Sequence, residues 1–263
     1  MVRRAWEMTR SSSISGVSSS RGQESDGSSF TRGILNLLEH VEYRRCESGE
    51  DLEAIYRLRY KAYRQHGVVG EIKDRLISDE LDDAPNCYRF GIFIDGELAS
   101  TIRIHHLSLA NPMSGSMKIF GDLLHPRLLR GETFVDPSRL AADPEMAAAH
   151  RGLPYVTVRL AVAASIHFNV TSCLSTIREE HRAFYQRVIN SVQVGKARAF
   201  HGLSVEGILC ESNCEANMAN ILRRFPFFIS STFEQRMLFK RPMRGELVPL
   251  TVLPTAKYSL AAA

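Results

Sequence analysis

Two runs of strand-forming residues flank the dipeptide Asp95-Gly96, and this pattern constrains the fold more than any other in the chain. Asp-Gly is a frequent two-residue turn between antiparallel strands, because both of its residues tolerate positive φ angles. The pattern predicts a β-hairpin with strands over residues 88–94 and 97–106. An antiparallel pair of strands therefore lies in the middle of the predicted fold.

Helix-type and strand-type patterns alternate on both sides of this hairpin, without an internal repeat. Apolar residues at helical spacing predict the helices, and β-rich runs predict the strands. The predicted helices cover residues 33–40, a segment that opens at Gly49, and residues 155–168, 179–190 and 216–224. The further strands cover residues 41–46, 133–141, 171–177, 204–210 and 227–238. This order indicates an α/β or α+β fold in one domain.

The N-terminal segment differs from the rest, since ten of the residues from Ser11 to Ser29 are serine and almost none is apolar. Such a segment cannot bury enough surface to offset the entropy lost on ordering. We therefore predict a disordered tail over residues 1–31, a single domain over residues 32–245 and a C-terminal extension over residues 246–263.

Composition excludes several classes of function. No apolar run approaches the length of a membrane span, so we expect no integral membrane segment. The five cysteines are scattered and odd in number, which is typical of reduced thiols in a cytoplasmic protein, and we expect no metal site. The net charge of +4 comes from dispersed arginines without a nucleic-acid motif, so we expect no nucleic acid partner. An acidic protein and an acidic substrate remain equal candidates.

The segment 134–140 places Asp136, Ser138 and Arg139 inside a predicted strand that also carries apolar residues. Charged groups are costly to bury unless they are paired, so this strand suggests the wall of a binding cleft. Pro137 cannot donate to a sheet and implies an edge or a bulge, where a freed N–H could bind an oxyanion. Strand alternation puts Asp136 and Ser138 on one face and Arg139 on the other. The alternative is a structural Asp–Arg pair in a distorted strand.

Upstream segments carry further polar residues that are ambiguous one by one. Arg59 and Tyr63 share a helix face, where Arg59 is either a solvated charge or a ligand-binding group. The loop with Asp79 and Asp82 is either a solvated acidic run or a cluster that pairs with arginines. Arg103 lies on a predicted central strand and needs a carboxylate from Asp82 or Asp136, unless the strand is an edge strand whose polar face is solvated.

Two further candidates, His181 and Tyr185, are four residues apart on a later predicted helix. His181 is either a surface residue or a proton carrier, since the pKa of histidine lies near neutrality. Tyr185 is either a binding residue or core packing. Sequence motifs of α/β-hydrolases, P-loop NTPases, dinucleotide-binding proteins and zinc peptidases are absent.

In their order, these segments resemble the N-acyl amino acid synthases and, more distantly, the acyl-homoserine-lactone synthases, which share the GNAT-like acyltransferase fold. The matches to lactone synthase motifs are Arg59 to Tyr63, Asp79 to Asp82, Arg103 in its strand, and Asp136 to Arg139. The departures are Tyr63 for Phe, Leu81 for an aromatic residue and Asp136 for Glu. The segments that resemble the amino acid synthases are residues 178–185, 197–203 and 223–228.

The resemblance implies a GNAT-like fold with a central mixed, mostly antiparallel sheet flanked by helices. It implies an N-acyltransferase that moves a fatty acyl group from an acyl carrier protein thioester, or acyl-CoA, to the α-amine of an amino acid, with no other cofactor. We expect the catalytic residues to be Asp136, Asp82 and Ser138. We expect the substrate-binding residues to be Arg59, Tyr63, Asp79, Arg103, Arg139, His181 and Tyr185.

The donor and the alternatives rest on fewer residues. The GNAT phosphate-binding pattern is absent after the Asp136 strand, which disfavours a conventional CoA pocket. Acyl carrier protein is acidic, and the proposed contacts are Arg151, Arg159, Arg182 and Arg187. The alternatives are a lactone-forming autoinducer synthase that uses S-adenosylmethionine, and a GNAT-fold acyl-binding module without catalytic activity.

Overall fold

The computed structural model describes residues 23–200, 205–241 and 249–261 of the chain. The helices are α1 (Gln23–Leu38), α2 (Gly49–Gln65), α3 (Gly115–Leu129), α4 (Pro144–Ala149), α5 (Leu153–His167), α6 (Arg182–Ile189), α7 (Cys214–Arg224), α8 (Thr232–Phe239) and α9 (Ala256–Ala261). The strands are β1 (Val41–Arg45), β2 (Cys87–Ile94), β3 (Glu97–Leu107), β4 (Phe134–Ala142), β5 (Ser172–Ile177), β6 (Val192–Ala199), β7 (Glu206–Asn213) and β8 (Thr251–Val252). Short 3-10 turns cover Glu80–Asp83, Glu179–His181 and Pro226–Phe228.

The strands of this described part form an eight-stranded sheet in the order β6-β7-β5-β4-β3-β2-β1-β8. Neighbouring strands are antiparallel except β4 and β5, which run parallel. Helices pack on both faces of the sheet. The predicted α/β class with a mixed, mostly antiparallel sheet is confirmed.

The predicted hairpin is formed by β2 and β3, in which Ile94 pairs with Glu97. Asp95 and Gly96 have φ angles of 49° and 84°, the positive values that a tight hairpin turn requires. On its other side β3 pairs with β4, so the hairpin contributes the central strand of the sheet.

The two faces of β3 meet different surroundings, because successive side chains alternate across a sheet. Ile102 and Ile104 belong to the main apolar core, together with the fully buried stretch of α5 from Val156 to Ser165. Arg103 and His105 lie on the opposite face, where α2 packs across β3 and β4. A second apolar core forms on that face under α3.

The N-terminal part of the prediction needs correction. The first helix begins at Gln23 and not at Gly33, so the serine-rich segment is helical from Gln23 onward. Residues 1–22 lie outside the described residues. Ile34 and Leu38 on the same helix are buried in the main core, and this packing stabilises a helix that its serine content disfavours.

Two later segments also differ from the prediction. No helix is predicted between residues 106 and 133, yet residues 115–129 form α3, whose Phe120, Leu124 and Leu128 are buried at a spacing of four residues. The predicted strand over residues 227–238 is wrong, since this segment holds a 3-10 turn and α8. Ser231 caps α8 by accepting a hydrogen bond from the Glu234 N–H at 3.1 Å.

The C-terminal residues are part of the fold, because β8 pairs with β1 at the sheet edge. Arg159 of α5 and Glu234 of α8 form an ion pair in which both side chains are 0% exposed. Glu234 also accepts hydrogen bonds from Thr255 N at 2.8 Å and Oγ1 at 2.7 Å. The prediction that Arg159 contacts a carrier protein is therefore wrong, since its guanidinium is buried and paired.

Candidate active site

Five charged side chains form a cluster, which we call the ion cluster: Arg59, Asp79, Asp82, Arg103 and Arg139. Arg59 Nη1 lies 2.9 Å from Asp82 Oδ1, and both side chains are at most 1% exposed. Arg103 Nη1 lies 2.5 Å from Asp79 Oδ1 and 3.2 Å from Asp82 Oδ2. Arg139 pairs with Asp79 Oδ2. Three cations therefore share two carboxylates beside β3 and β4.

The turn Glu80–Asp83 positions the two carboxylates through a capping box. Asp79 Oδ1 accepts from the Leu81 N–H at 3.0 Å, and Asp82 Oδ2 accepts from the Asp79 N–H at 3.0 Å. Burial acts to raise the pKa of Asp79, but the hydrogen bonds and charges of two arginines outweigh it and hold that pKa well below its usual value. Asp79 is therefore an anion throughout the neutral pH range.

A bulge in β4 turns Arg139 toward the ion cluster. The register of β4 against β3 shifts between Thr101 and Arg103, and Arg139 has a φ angle of 52°. Such a bulge inserts one residue and redirects a side chain. The prediction that Arg139 faces away from Ser138 is therefore wrong, because the bulge breaks the alternation and brings Arg139 to Asp79.

The parallel strands β4 and β5 separate soon after they begin. In the described chain they pair only at Phe134–Ser172 and Val135–Cys173, so the rest of β4 has no strand partner on this edge. Pro137 lies in this open stretch, as expected for a residue that cannot donate to a sheet ladder. The predicted edge or bulge at Pro137 is confirmed.

Asp136 belongs to a separate polar group at this opening. Its Oδ2 accepts from the Ser116 N–H at 2.9 Å, and its Oδ1 accepts from the Ser116 hydroxyl at 2.7 Å. Ser116 lies in the first turn of α3, where unpaired N–H groups and the helix dipole stabilise a carboxylate. The Ser116 hydroxyl also lies 2.6 Å from Thr176 Oγ1 of β5. Asp136 thus connects the N-terminus of α3 to β4, next to the last residue pair that joins β4 and β5.

His105 lies opposite Asp136 in the register of β3 and β4. Its Nε2 is 2.9 Å from the Leu81 carbonyl oxygen, while its buried Nδ1 has no hydrogen-bond partner among the described residues. Burial lowers the pKa of His105 and Arg103 lowers it further, which outweighs the opposite effect of Asp136. A neutral His105 that donates from Nε2 keeps Nδ1 as a free proton acceptor.

An apolar cleft lies on the α5 side of the same opening. The space between its walls is about 420 Å³ when its mouth, which is open to solvent, is included. The walls comprise Pro137 and Leu140 of β4, Tyr185 of α6 and Met218 of α7. Burial raises the pKa of Tyr185, so its phenol stays neutral. The cleft suits an aliphatic chain better than a charged group.

Tyr63 lies beside the ion cluster, and His181 lies on the exposed turn Glu179–His181. The guanidinium carbon of Arg139 lies 6.0 Å from the centre of the Tyr63 ring. His181 is exposed, and its Nε2 lies 3.3 Å from Arg178 Nη2. Neither side chain has a polar contact with the ion cluster in the described chain.

Residues 54–213 match the family model described as "N-acyl amino acid synthase FeeM". The matched residues make up more than half of the chain. The chain belongs to the FeeM family of N-acyl amino acid synthases. It is therefore an acyltransferase, and the resemblance inferred from the sequence is confirmed. A search of curated proteins found no match.

The structure of FeeM, an N-acyl amino acid synthase from uncultured soil microbes, is similar, with a TM-score of 0.54 and 16% identity over 66% of this chain and 91% of that chain. The structure of the acyl-homoserine-lactone synthase LasI has a TM-score of 0.47 and 16% identity, and the match covers 68% of this chain and 94% of LasI. A GNAT-family acetyltransferase from Streptococcus pneumoniae has a TM-score of 0.42 and 12% identity, and the match covers 66% of this chain and 99% of the acetyltransferase. The likeness to FeeM shows that the two chains share a fold.

In this FeeM-family chain, the structure brings most of the predicted site residues together. The ion cluster contains five of them, and Ser138 joins it by accepting from Arg103 Nε at 3.1 Å. Arg59 is buried and not solvated, and Arg103 lies on a central strand and pairs with Asp82, one of its two expected partners. Asp136 lies in the adjacent polar group, and Tyr185 lines the apolar cleft on the other face.

Three features of the FeeM-family site are absent from the sequence-based prediction. Ser116 is one of them, because no helix is predicted over residues 115–129, although the spacing of Phe120, Leu124 and Leu128 indicates one. His105 shares a strand face with Arg103, and this alternation was a usable signal. The apolar cleft had no such signal, because its walls come from segments far apart in the sequence.

The described ranges also bear on the expectations about metals, membranes and thiols. No group of three or more His, Cys, Asp and Glu side chains in them is arranged to hold a metal ion. None of their helices is long and apolar enough to cross a membrane. The five cysteines are all described and are free thiols.

Proposed function

We propose that this protein transfers a fatty acyl group from an acyl carrier protein thioester to the α-amine of an amino acid. One observation carries the proposal: around its bulge, β4 serves two chemically different surfaces. Ser138 and Arg139 face the ion cluster, whereas Pro137 and Leu140 line the apolar cleft. A polar acceptor and an aliphatic donor can therefore meet at the open edge of one strand.

Arg139 is the proposed anchor for the carboxylate of the acceptor. Its side chain is 16% exposed, against 0% for Arg59 and 2% for Arg103, so it is the cation of the cluster that a ligand reaches first. Asp79 engages Arg139 Nη2, which leaves the remaining guanidinium donors for two-point recognition of a carboxylate. Tyr63 flanks the same guanidinium. In this proposal Arg59, Asp82 and Arg103 hold Asp79 and Arg139 in place.

The acyl chain is proposed to enter the apolar cleft, where each buried methylene contributes about 0.8 kcal/mol. Exposed Arg182 and Arg187 lie on α6 beside Tyr185, and cations at this position suit an acidic carrier protein. The N-terminus of α4 already holds the Asp143 carboxylate, which accepts from the Glu145 N–H at 2.9 Å. A bound anion at this helix end disfavours a CoA pyrophosphate there, which supports a carrier protein as donor.

The proposed chemistry is direct aminolysis. The ammonium group of the acceptor first loses a proton, and the neutral amine attacks the thioester carbonyl. The C–N bond forms and the C–S bond breaks, while the nitrogen loses a second proton and the thiolate leaving group takes one up. Both oxygens of Asp82 are engaged by cationic arginines, whereas those of Asp136 accept only from the neutral Ser116, so we assign the first proton to Asp136 through a water molecule.

Ser138 is the proposed hydrogen-bond donor to the oxyanion. Its oxygen accepts from Arg103, which leaves its own hydrogen free to donate. The open edge of β4 offers main-chain N–H groups beside the Ser138 hydroxyl. Donors that point at a developing oxyanion strongly stabilise the transition state of acyl transfer. We also propose that the protein acts in the cytoplasm, which its free thiols support.

The test incubates the purified full chain with an acyl carrier protein thioester and a mixture of amino acids, and mass spectrometry identifies the products. We expect an N-acyl amino acid. Arg139→Ala should raise the KM for the acceptor about tenfold or more, because it removes a charge-assisted contact. The control Arg57→Ala changes an exposed arginine on the same helix as Arg59 and should leave KM unchanged.

Parallel reactions separate the alternatives. A CoA thioester in place of the carrier thioester tests the donor, and S-adenosylmethionine in place of the amino acids tests lactone formation. Tight carrier-protein binding without turnover indicates an acyl-binding module. A folded protein that forms no N-acyl amino acid in any reaction contradicts the proposal.

A further inference from the structure

A second pocket, away from the apolar cleft, is lined by three arginines. It opens between the end of β1 and the start of β2 and has a volume of about 570 Å³, including its mouth. Arg45, Arg89 and Arg241 line it, and Glu47 is the only carboxylate among its described lining residues. We call it the arginine pocket.

The positive charge of the arginine pocket is only partly neutralised. Arg45 is 3% exposed and pairs with Glu47, which is itself 46% exposed. Arg89 lies 3.0 Å from Asp83, whose side chain is 86% exposed. Arg241 has no carboxylate partner among the described residues. Three guanidinium groups thus face two largely hydrated carboxylates, which leaves a net positive site.

The guanidinium groups are held in place before any ligand arrives. Arg45 Nη1 donates to the Lys240 carbonyl at 2.9 Å. Arg241 Nη2 donates to the Cys87 carbonyl at 2.5 Å, and its guanidinium carbon lies 4.6 Å from the centre of the Tyr88 ring. Side chains that are already ordered lose little entropy when they bind a ligand.

We propose that the arginine pocket binds the oxyanion group of a small ligand, either a phosphate or a carboxylate. The planar guanidinium donates two parallel hydrogen bonds to such groups, and arginine is the usual residue for this recognition. Buried Phe90 and Cys87 supply a low-dielectric floor, on which an ion pair is stronger than in water.

A ligand in this pocket is distinct from the acyl donor but connected to the ion cluster. Arg89 Nη1 donates to the main-chain carbonyl of Asp82 at 2.7 Å, and the Asp82 carboxylate binds Arg59 and Arg103. Arg89 also pairs with Arg103 in the register of β2 and β3. An oxyanion that binds Arg89 is therefore separated from the ion cluster by one side chain, that of Arg89. The strand β3 lies between this oxyanion and the open edge of β4.

Isothermal titration calorimetry of the full chain tests this site with inorganic phosphate and, separately, with malonate, at an ionic strength kept constant with sodium chloride. We expect saturable binding of at least one of the two anions at one site. Arg241→Ala should weaken binding about tenfold or more, and Arg241→Lys should weaken it less, because lysine keeps the charge but not the planar fork. Arg57→Ala, an exposed arginine on α2, should bind as the wild type does.

Glu47→Gln provides a test in the opposite direction. Loss of the lining carboxylate should tighten anion binding about threefold or more, because a like charge has been removed. Thermal unfolding without anion verifies that each variant is folded. Arg241 is exposed and its variants lose one hydrogen bond to the Cys87 carbonyl, so we expect their midpoint to fall by no more than about 4 °C. Tighter binding of phosphate assigns a phosphate ligand, and tighter binding of malonate assigns a carboxylate.

Binding that does not saturate overturns the proposal, as does equal affinity of the wild type and Arg241→Ala. Weaker binding by Glu47→Gln also overturns it. The titrations contain neither acyl donor nor amino acid acceptor. Their outcome is therefore independent of the acyltransferase proposal.

Discussion

Removal of one charge from the interior of the ion cluster should strongly destabilise the protein. Asp82→Asn keeps the shape of the side chain but removes the negative charge that lies 2.9 Å from Arg59 and 3.2 Å from Arg103. Arg59 and Asp82 have side chains that are 0% and 1% exposed, so water cannot replace the lost charge. The arginines would remain buried with Asp79 as their nearest carboxylate.

The expected cost follows from this burial. Removal of one partner of a buried ion pair typically costs about 3–5 kcal/mol. An independent estimate agrees, since two charges 4 Å apart at an effective dielectric constant of 20 interact by about 4 kcal/mol. For a chain of this size, 1 kcal/mol corresponds to about 2–4 °C in the unfolding midpoint. We therefore expect Asp82→Asn to lower the midpoint by roughly 6–20 °C.

Thermal unfolding followed by circular dichroism measures this shift. The matched control is Glu53→Gln, which removes the partner of Arg57 in a pair whose side chains are both 56% exposed. An exposed pair contributes about 1 kcal/mol at most, so the control should shift the midpoint by less than about 4 °C. A shift for Asp82→Asn that does not exceed that of the control would refute the argument from buried charge.

Three further predictions concern pH, the cleft and the carrier protein. The folded pKa of Asp79 lies below its ordinary value of 3.8, so its ion pairs stabilise the fold above that pH and this contribution is lost as the pH falls below it. The difference in unfolding midpoint between wild type and Asp79→Asn should therefore shrink as the pH is lowered from about 6 to about 3, and a constant difference contradicts this. Leu140→Trp fills the apolar cleft and should therefore lower kcat/KM for a long-chain donor by about tenfold. The kcat/KM for an acetyl donor should change less than about twofold. Equal losses for the two donors would exclude the cleft as the acyl site. Arg182→Glu should raise KM for a carrier-bound donor about fivefold and leave KM for an acyl-pantetheine unchanged, and a parallel rise for both donors argues against docking at α6.

Local patterns account for the parts of the fold that were predicted correctly. The turn at Asp95-Gly96 depends on two adjacent residues, and α5 is marked by a long apolar stretch. The errors lie where distant contacts decide the structure. In the part of α1 before Gly33, the Phe30 ring packs against Tyr155 of α5, a contact distant in sequence. Ser231 caps α8, and the strand-like residues around Phe227 concealed this cap.

The candidate site shows the same division. The cost of burying charge sufficed to predict that Arg103 needs a carboxylate, with Asp82 and Asp136 as the candidates. It did not decide between them, and the structure pairs Arg103 with Asp82 and with Asp79. The direction of Arg139 was not predictable, since the bulge that redirects it depends on the pairing of β4 with β3. The bonding of Asp136 to Ser116 required knowledge of where α3 begins.

The strand β8 and Thr255 are synthesised after the elements that they complete. β1 carries an unpaired edge on this side until residues 251–252 have left the ribosome, and Glu234 lacks two hydrogen bonds until Thr255 follows. Unpaired strand edges invite association with other chains, and domains fold as units while they are being translated. The nascent enzyme is therefore most exposed to aggregation and to chaperones in the interval before Thr255 emerges, and slow translation of this stretch would lengthen that interval.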